Sequence, residues 1–245
     1  MAEIPRLGKV ERPPERSWYV PTDTGEDIAR SLDMMKHLDG GAVTMIAGAP
    51  GVGKTRTLSN FYTVAEAIYC SIARGEGRPT NIAEVILRHW QVRTNGMSLP
   101  KMRETVVNYL GDKTLVLDEA QYLDNEGVEW ARAAAEEGGF NLVLCGDLAL
   151  ADLVNGIPQL QSRLFRPVII GAVKRSDAAA IAADAGVTDP ASVEQLCAVA
   201  RRKGGLRNVD NVLQLATLFA GGDLPSLAAI KAAVMDMKLN RAGDE

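Results

Sequence analysis

Ala42-Val43-Thr44-Met45-Ile46-Ala47 runs directly into Gly48-Ala49-Pro50-Gly51-Val52-Gly53-Lys54-Thr55. The first six residues are apolar or β-branched, which predicts a short strand buried on both faces. The next eight fit the spacing G-x-x-x-x-G-K-[ST] in full, and a helical period follows from Lys54 to about Glu66. Strand, glycine loop and helix in that order make a cradle for phosphate. The glycines let backbone N–H groups converge on phosphate oxygens with no Cβ in the way. The helix start adds the positive end of a dipole. Lys54 is long enough to reach the β- and γ-phosphates of a nucleotide, and the Thr55 hydroxyl can ligate Mg2+. Gly48, Ala49, Pro50, Gly51, Val52, Gly53, Lys54 and Thr55 are therefore the candidate ATP-binding residues.

The same alternation continues outward. Buried strands are predicted at Ala67–Ile72, Lys113–Asp118, Asn141–Cys145 and Pro167–Ala172. Between them lie a helix to Trp90 opened by an Asn81/Glu84 capping box, a Ser98-capped helix with Leu99, Met102, Val106 and Leu110 on one face, a helix near Val128–Glu137 and a short one near Leu148–Val154. Upstream, Thr22 or Thr24 caps a helix to about His37 with Ile28, Leu32, Met35 and Leu38 inward. Beyond Lys174 only helical periods remain, at about 176–185, 190–202, 207–219 and 224–238. The prediction is an α/β fold, a parallel sheet of about five strands followed by a small all-helical domain. Residues 1–17, with Pro5, Pro13 and Pro14, read as a flexible arm; 18–173 form the nucleotide-binding domain and 174–245 the helical lid.

The second chemical signal is Leu115-Val116-Leu117-Asp118-Glu119. An apolar strand ending in two carboxylates puts acid at the C-terminal edge of the sheet, where open α/β sheets bind ligands. Asp118 is the candidate Mg2+ ligand. Glu119 is placed to polarise an attacking water as a general base. Two motifs in register predict an ATPase.

Composition narrows the class without naming it. Of 245 residues, 47% are hydrophobic and 24% charged, the balance of a folded globular chain. No run approaches a membrane span and no apolar leader opens the chain, so a cytoplasmic setting, in a bacterial host, is expected. Cys70, Cys145 and Cys197 are too few and too scattered for a disulfide framework or a zinc site. A net charge of −4 disfavours a globally basic nucleic-acid binder but leaves room for a local basic strip.

With these motifs in place the chain resembles the AAA+ ATPases over roughly residues 18–240. In that family the fourth strand ends on a sensor residue, which falls here at Cys145-Gly146-Asp147. The usual Asn, Thr or Ser is replaced by Asp147, and an acid beside phosphate is repelled, so a simple helix N-cap is the competing role. Gln161-Ser162-Arg163 resembles the arginine-finger position, which implies that Arg163 acts on the ATP of a neighbouring subunit; Arg166 is its competitor. Gly204-Gly205-Leu206-Arg207-Asn208 resembles the second sensor, which implies that Arg207 reports the γ-phosphate.

Within AAA+ proteins the chain is similar to the transposition regulators, the group of phage Mu transposition protein B, TniB, TnsC and IstB. The resemblance rests on Leu117-Asp118-Glu119-Ala120-Gln121, on Leu142 to Gly146, and on Gly204 to Asn208. It implies ATP-bound subunits that self-associate as rings or filaments on double-stranded DNA, select a target and activate a transposase, with release on hydrolysis. The arm before Trp18 is too short for the helix-turn-helix domain of the Mu protein, so DNA contact is expected from the core. The segments between the second and third strands offer Arg74, Arg78, Arg88, Arg93, Thr94, Lys101 and Arg103; Arg93, Thr94 and Lys101 are preferred. The alternative is a helicase-loader-type AAA+ adaptor whose main partner is a protein. His37 and His89 are expected at the surface, Trp90 and Trp130 as anchors, and Trp18-Tyr19-Val20 either along an adenine pocket or as a hydrophobic staple. Tyr122 is given no role.

Overall fold

The computed structural model describes residues 19–38 and 40–239. The arm 1–17, Trp18 and the last six residues lie outside them. In chain order the elements are α1 (Asp23–Lys36), β1 (Val43–Gly48), α2 (Lys54–Phe61), β2 (Ala67–Ser71), α3 (Pro79–Arg88), α4 (Leu99–Leu110), β3 (Thr114–Asp118), α5 (Asn125–Gly138), β4 (Asn141–Gly146), α6 (Ala149–Asn155), α7 (Pro158–Gln161), β5 (Val168–Ile170), α8 (Arg175–Asp184), α9 (Pro190–Ala200), α10 (Gly205–Phe219) and α11 (Leu227–Asp236). The α/β class, the parallel sheet and the helices that follow it are as the sequence predicts.

The chain divides into two compact units. One holds residues 27–48 and 54–171, the other 49–53 and 172–239 with the described residues before Asp27. In the first, five parallel strands run in the order β2-β3-β4-β1-β5. Each connection between parallel strands needs a crossover, which the intervening helices supply. The register aligns Ala47 with Gly146, Leu117 with Leu144 and Ser71 with Asp118. The C-terminal ends of β1, β3 and β4 therefore share one edge. Every residue of β1 is buried, as continuous apolar strands between helical layers require. Ile82, Ile86, Leu87, Met102, Val106, Trp130, Phe140 and Leu144 are among the core residues around the sheet.

The second unit is helical. Its core is Ala178, Ile181, Leu196, Val209, Val212, Leu213, Ala216, Ile230 and Val234, with Val20 packed against it. Asp177 is buried there. Its carboxylate accepts the Thr24 backbone N–H at 3.2 Å and the Thr24 hydroxyl at 2.5 Å. Thr24 is thus occupied, and Thr22 caps α1 instead, accepting the Gly25 N–H at 3.0 Å.

Several local expectations are corrected. Leu38 is exposed rather than inward. Helix α2 stops at Phe61, because Thr63 donates its N–H and its hydroxyl to Glu66 and turns the chain before β2. No Asn81 capping box forms. Helix α3 starts at Pro79, where the missing N–H costs nothing, and Asn81 donates to the Gly75 carbonyl. Ser98 stands at the N-cap of α4 but makes no side-chain cap bond. Helix α5 begins three residues before Val128, capped by Asp124 through the Gly127 N–H at 2.7 Å.

Candidate nucleotide-binding site

Gly48 ends β1, and Lys54 and Thr55 begin α2. The loop between them turns through Gly51 and Gly53 at φ of +83° and +97°, where a Cβ-bearing residue is strained. Lys54 folds back over the loop and donates to the Gly48 carbonyl at 2.6 Å. Gly51 is also a point of close approach: its carbonyl accepts the Leu206 N–H at 2.9 Å, and a Cβ on Gly51 would stand 1.9 Å from the Gly204 oxygen. Residues 49–53 thus belong with the helical unit, against the start of α10. Arg207, one residue beyond Leu206, is exposed.

Thr55 and Asp118 come together. The Thr55 hydroxyl donates to Asp118 Oδ2 at 3.0 Å, although β4 lies between β1 and β3. The other Asp118 oxygen accepts the Glu119 N–H at 2.9 Å. Beneath them is Cys145, buried at the end of β4; burial first, and then the charge of Asp118, pushes its thiol well up. Among the described residues no cluster of three His, Cys, Asp or Glu side chains could hold a metal by itself. One hydroxyl and one carboxylate, both hard oxygen donors, nevertheless suit Mg2+, which takes one or two side chains and completes its shell with phosphate oxygens and water.

Glu119 has left-handed backbone angles, φ +56° and ψ +33°. A non-glycine residue there costs of order 1–3 kcal/mol and needs support from its surroundings. The support is Gln121, in the 3-10 turn Ala120–Tyr122. Its Nε2 donates to Glu119 Oε2 at 2.6 Å, and its Oε1 accepts the Asp147 N–H at 3.2 Å. No role for Gln121 follows from its position in the motif alone, although a polar residue two places beyond the glutamate was the available signal. The Asp147 carboxylate accepts the Ala149 N–H at 2.9 Å at the start of α6, although the N-cap position itself is Leu148.

The two arginines separate. Arg166, at φ +42°, donates to the Asp27 carbonyl at 3.0 Å and to its carboxylate at 2.6 Å, while its own carbonyl accepts the Ser31 hydroxyl. It ties α1 to the segment before β5. Arg163 is half exposed and pairs with Glu136. Of the basic residues between β2 and β3, Arg103 is engaged with Glu137 and the Ala133 carbonyl, and Arg74 lies 5.6 Å from the centre of the Tyr122 ring. Arg93 is exposed and Thr94 half-buried in the α3–α4 connection, and Lys101 pairs with Glu104 on the exposed first turn of α4. Val20 packs against the core of the helical unit, His37 and His89 are exposed, and Trp90 packs half-buried on the core of the sheet unit.

Residues 37–154 match the family described as AAA domain, and residues 162–237 the family described as Mu B transposition protein, C terminal. The chain is 27% identical over 222 residues to the ATP-dependent target DNA activator B of Escherichia phage Mu, covering 85% of this chain and 69% of that protein. It is 25% identical over 203 residues to the Mu-like prophage FluMu DNA transposition protein B of Haemophilus influenzae, covering 77% of this chain and 69% of that one. Among solved structures it shares its fold with the ORC2 protein of Aeropyrum pernix, at a TM-score of 0.68 and 20% identity over 94% of this chain and 70% of the other. Domain III of the replication initiation protein DnaA from Thermotoga maritima also shares the fold, at a TM-score of 0.56 and 19% identity over 90% of this chain and 94% of the other. Region by region, the chain is thus similar to an AAA domain over residues 37–154 and to the C-terminal domain of the Mu B transposition protein over residues 162–237.

Proposed function

We propose that the chain is an ATPase that binds double-stranded DNA in its ATP state, selects target DNA, activates a transposase and leaves the DNA on hydrolysis. The observation that carries this is the 3.0 Å bond from Thr55 to Asp118, which unites the end of the glycine loop with the strand that presents Glu119. The similarity to a target DNA activator, which covers 85% of this chain, supports the DNA half.

The backbone N–H groups of Gly48 to Thr55 hold the phosphate oxygens, and Lys54 exchanges its bond to Gly48 for the β- and γ-phosphates. Thr55 and Asp118 would hold Mg2+, which neutralises the charge that develops between the β- and γ-phosphates. Glu119 takes the proton of the attacking water as its oxygen bonds to the γ-phosphorus; the bond to the β-phosphate oxygen breaks, and ADP and phosphate leave. Arg163 acts on the ATP of a second copy, exchanging Glu136 for phosphate, and Arg207 answers the γ-phosphate from a lid spanning 174–245. Arg93, Thr94 and Lys101 face DNA phosphates. The Lys101–Glu104 pair is exposed and costs little to open.

The test is ATP turnover and ATP binding with duplex DNA present. Lys54→Ala is expected to bind no nucleotide. Glu119→Gln is expected to keep ATP and to turn it over at least roughly 100-fold more slowly. Turnover by Glu119→Gln at the wild-type rate would contradict the assignment.

A further inference from the structure

Gln121 is tied on both sides. Its carbonyl oxygen is fixed by the Asp147 N–H at 3.2 Å, so its amide nitrogen faces Glu119 and donates to Oε2 at 2.6 Å. Because Oε1 already has its donor, a flip of the amide would set oxygen against carboxylate and nitrogen against the Asp147 N–H. The arrangement therefore has one orientation. It also has a seat. Gly146 ends β4, and a Cβ there would lie 2.5 Å from Gln121 Oε1, 3.1 Å from Leu150 Cδ2 and 3.2 Å from the Gln121 backbone nitrogen. The glycine is needed for room, since its φ is not among the positive ones.

We infer that Gln121 is a positioning residue for hydrolysis, holding one oxygen of the Glu119 carboxylate so that the other is presented to water, with Gly146 as the seat that keeps it in place. This rests on Glu119 being the general base. The physical case is rotational. Glu119 is exposed and its side chain has three rotatable bonds, so without a partner its carboxylate samples many directions. The left-handed backbone at Glu119 sets where the side chain leaves the chain, and Gln121 sets where it ends. Misplacing a reacting group by about 1 Å costs on the order of 100-fold in rate. Because Gln121 is hydrogen-bonded to Asp147, the residue after β4, and not to the glycine loop, its loss leaves the nucleotide's own contacts intact.

The test is steady-state ATP hydrolysis by wild type, Glu119→Gln, Gln121→Ala, Gln121→Glu and Gly146→Ala, with the dissociation constant for a fluorescent ATP analogue and the melting temperature of each. Gln121→Ala is expected to lower kcat roughly 10- to 100-fold with KM and the dissociation constant unchanged. Gln121→Glu, which sets a second carboxylate against the first, should lose at least as much. Gly146→Ala should lower kcat similarly, and the Gln121→Ala/Gly146→Ala double variant should lose little beyond either single change, since both act through one contact. A merely structural Gln121 would move the melting temperature or KM and not kcat alone. Wild-type kcat in Gln121→Ala, with Glu119→Gln inactive, overturns the inference and leaves the ATPase reading standing. A raised kcat overturns it too, because Gln121 would then be a restraint. Normal turnover by Glu119→Gln sinks both together.

Discussion

Lys54, Asp118 and Glu119 are legible in the sequence because each belongs to a contiguous motif whose spacing already encodes its geometry. Their partners are not. Arg166 meets Asp27 across 139 residues, and nothing in the Gln161–Arg166 run says that this arginine is committed to α1 while Arg163 pairs near the surface. The distinction makes a prediction. Arg166→Ala should destabilise the fold by about 1 kcal/mol, since it removes a partly exposed charge-assisted pair and a bond to a carbonyl. Arg163→Ala should leave thermal stability unchanged and lower only the turnover that depends on assembly. Melting temperatures and the protein-concentration dependence of ATPase rate check both halves. Equal melting losses in the two variants would show that Arg163 is structural as well. Gln121 is the opposite case, visible in the motif but without a role until the fold brings Asp147 beside it.

Elements are read well where burial is periodic and poorly where side chains bond to nearby backbone. All five strands fall where apolar runs predict them, whereas the end of α2 and the starts of α3 and α5 move by several residues. The turn after α2 shows why: Glu66, held by the Thr63 N–H first, then by the Thr63 hydroxyl and by Lys36, has its pKa lowered to about 2. A carboxylate with a depressed folded pKa adds stability that is present above its unfolded value and lost as pH falls through the folded one. Glu66→Gln should therefore melt below wild type near neutrality, with the gap closing between about pH 4.5 and pH 2. A gap independent of pH would mean that Lys36 and Thr63 do not hold it. Since the carboxylate is exposed, the effect should be small and should shrink with salt. The loop before α2 offers a larger effect. Gly51→Ala places a Cβ at positive φ and against the Gly204 oxygen, so loss of nucleotide binding together with a lowered melting temperature is expected. Unchanged binding would show that the loop can move away from α10.

For the whole molecule, the order of strands and then helices was enough to give the fold class, because parallel strands demand crossovers and the last four helices have none to make. Beyond the N-terminal arm, the sequence divides the chain once, near Lys174. The structure groups residues 49–53 and the start of α1 with the helices, a long-range arrangement that hydrophobic periodicity does not encode. The proposed function depends on many copies acting together. A net charge of −4 is compatible with DNA binding if a few cations per copy are aligned by assembly, and binding should then weaken steeply with salt. Alanine at Arg93 and Lys101 together should reduce duplex affinity without altering ATP binding, and should flatten the salt dependence. The most direct measurement is duplex DNA binding by the intact chain with ATP, with ADP and with no nucleotide, each at low and high salt, with the particles viewed by negative-stain microscopy. ATP-dependent assemblies on DNA that dissolve with salt are the predicted result. The contradicting result is no DNA binding in any nucleotide state, or equal binding in all three.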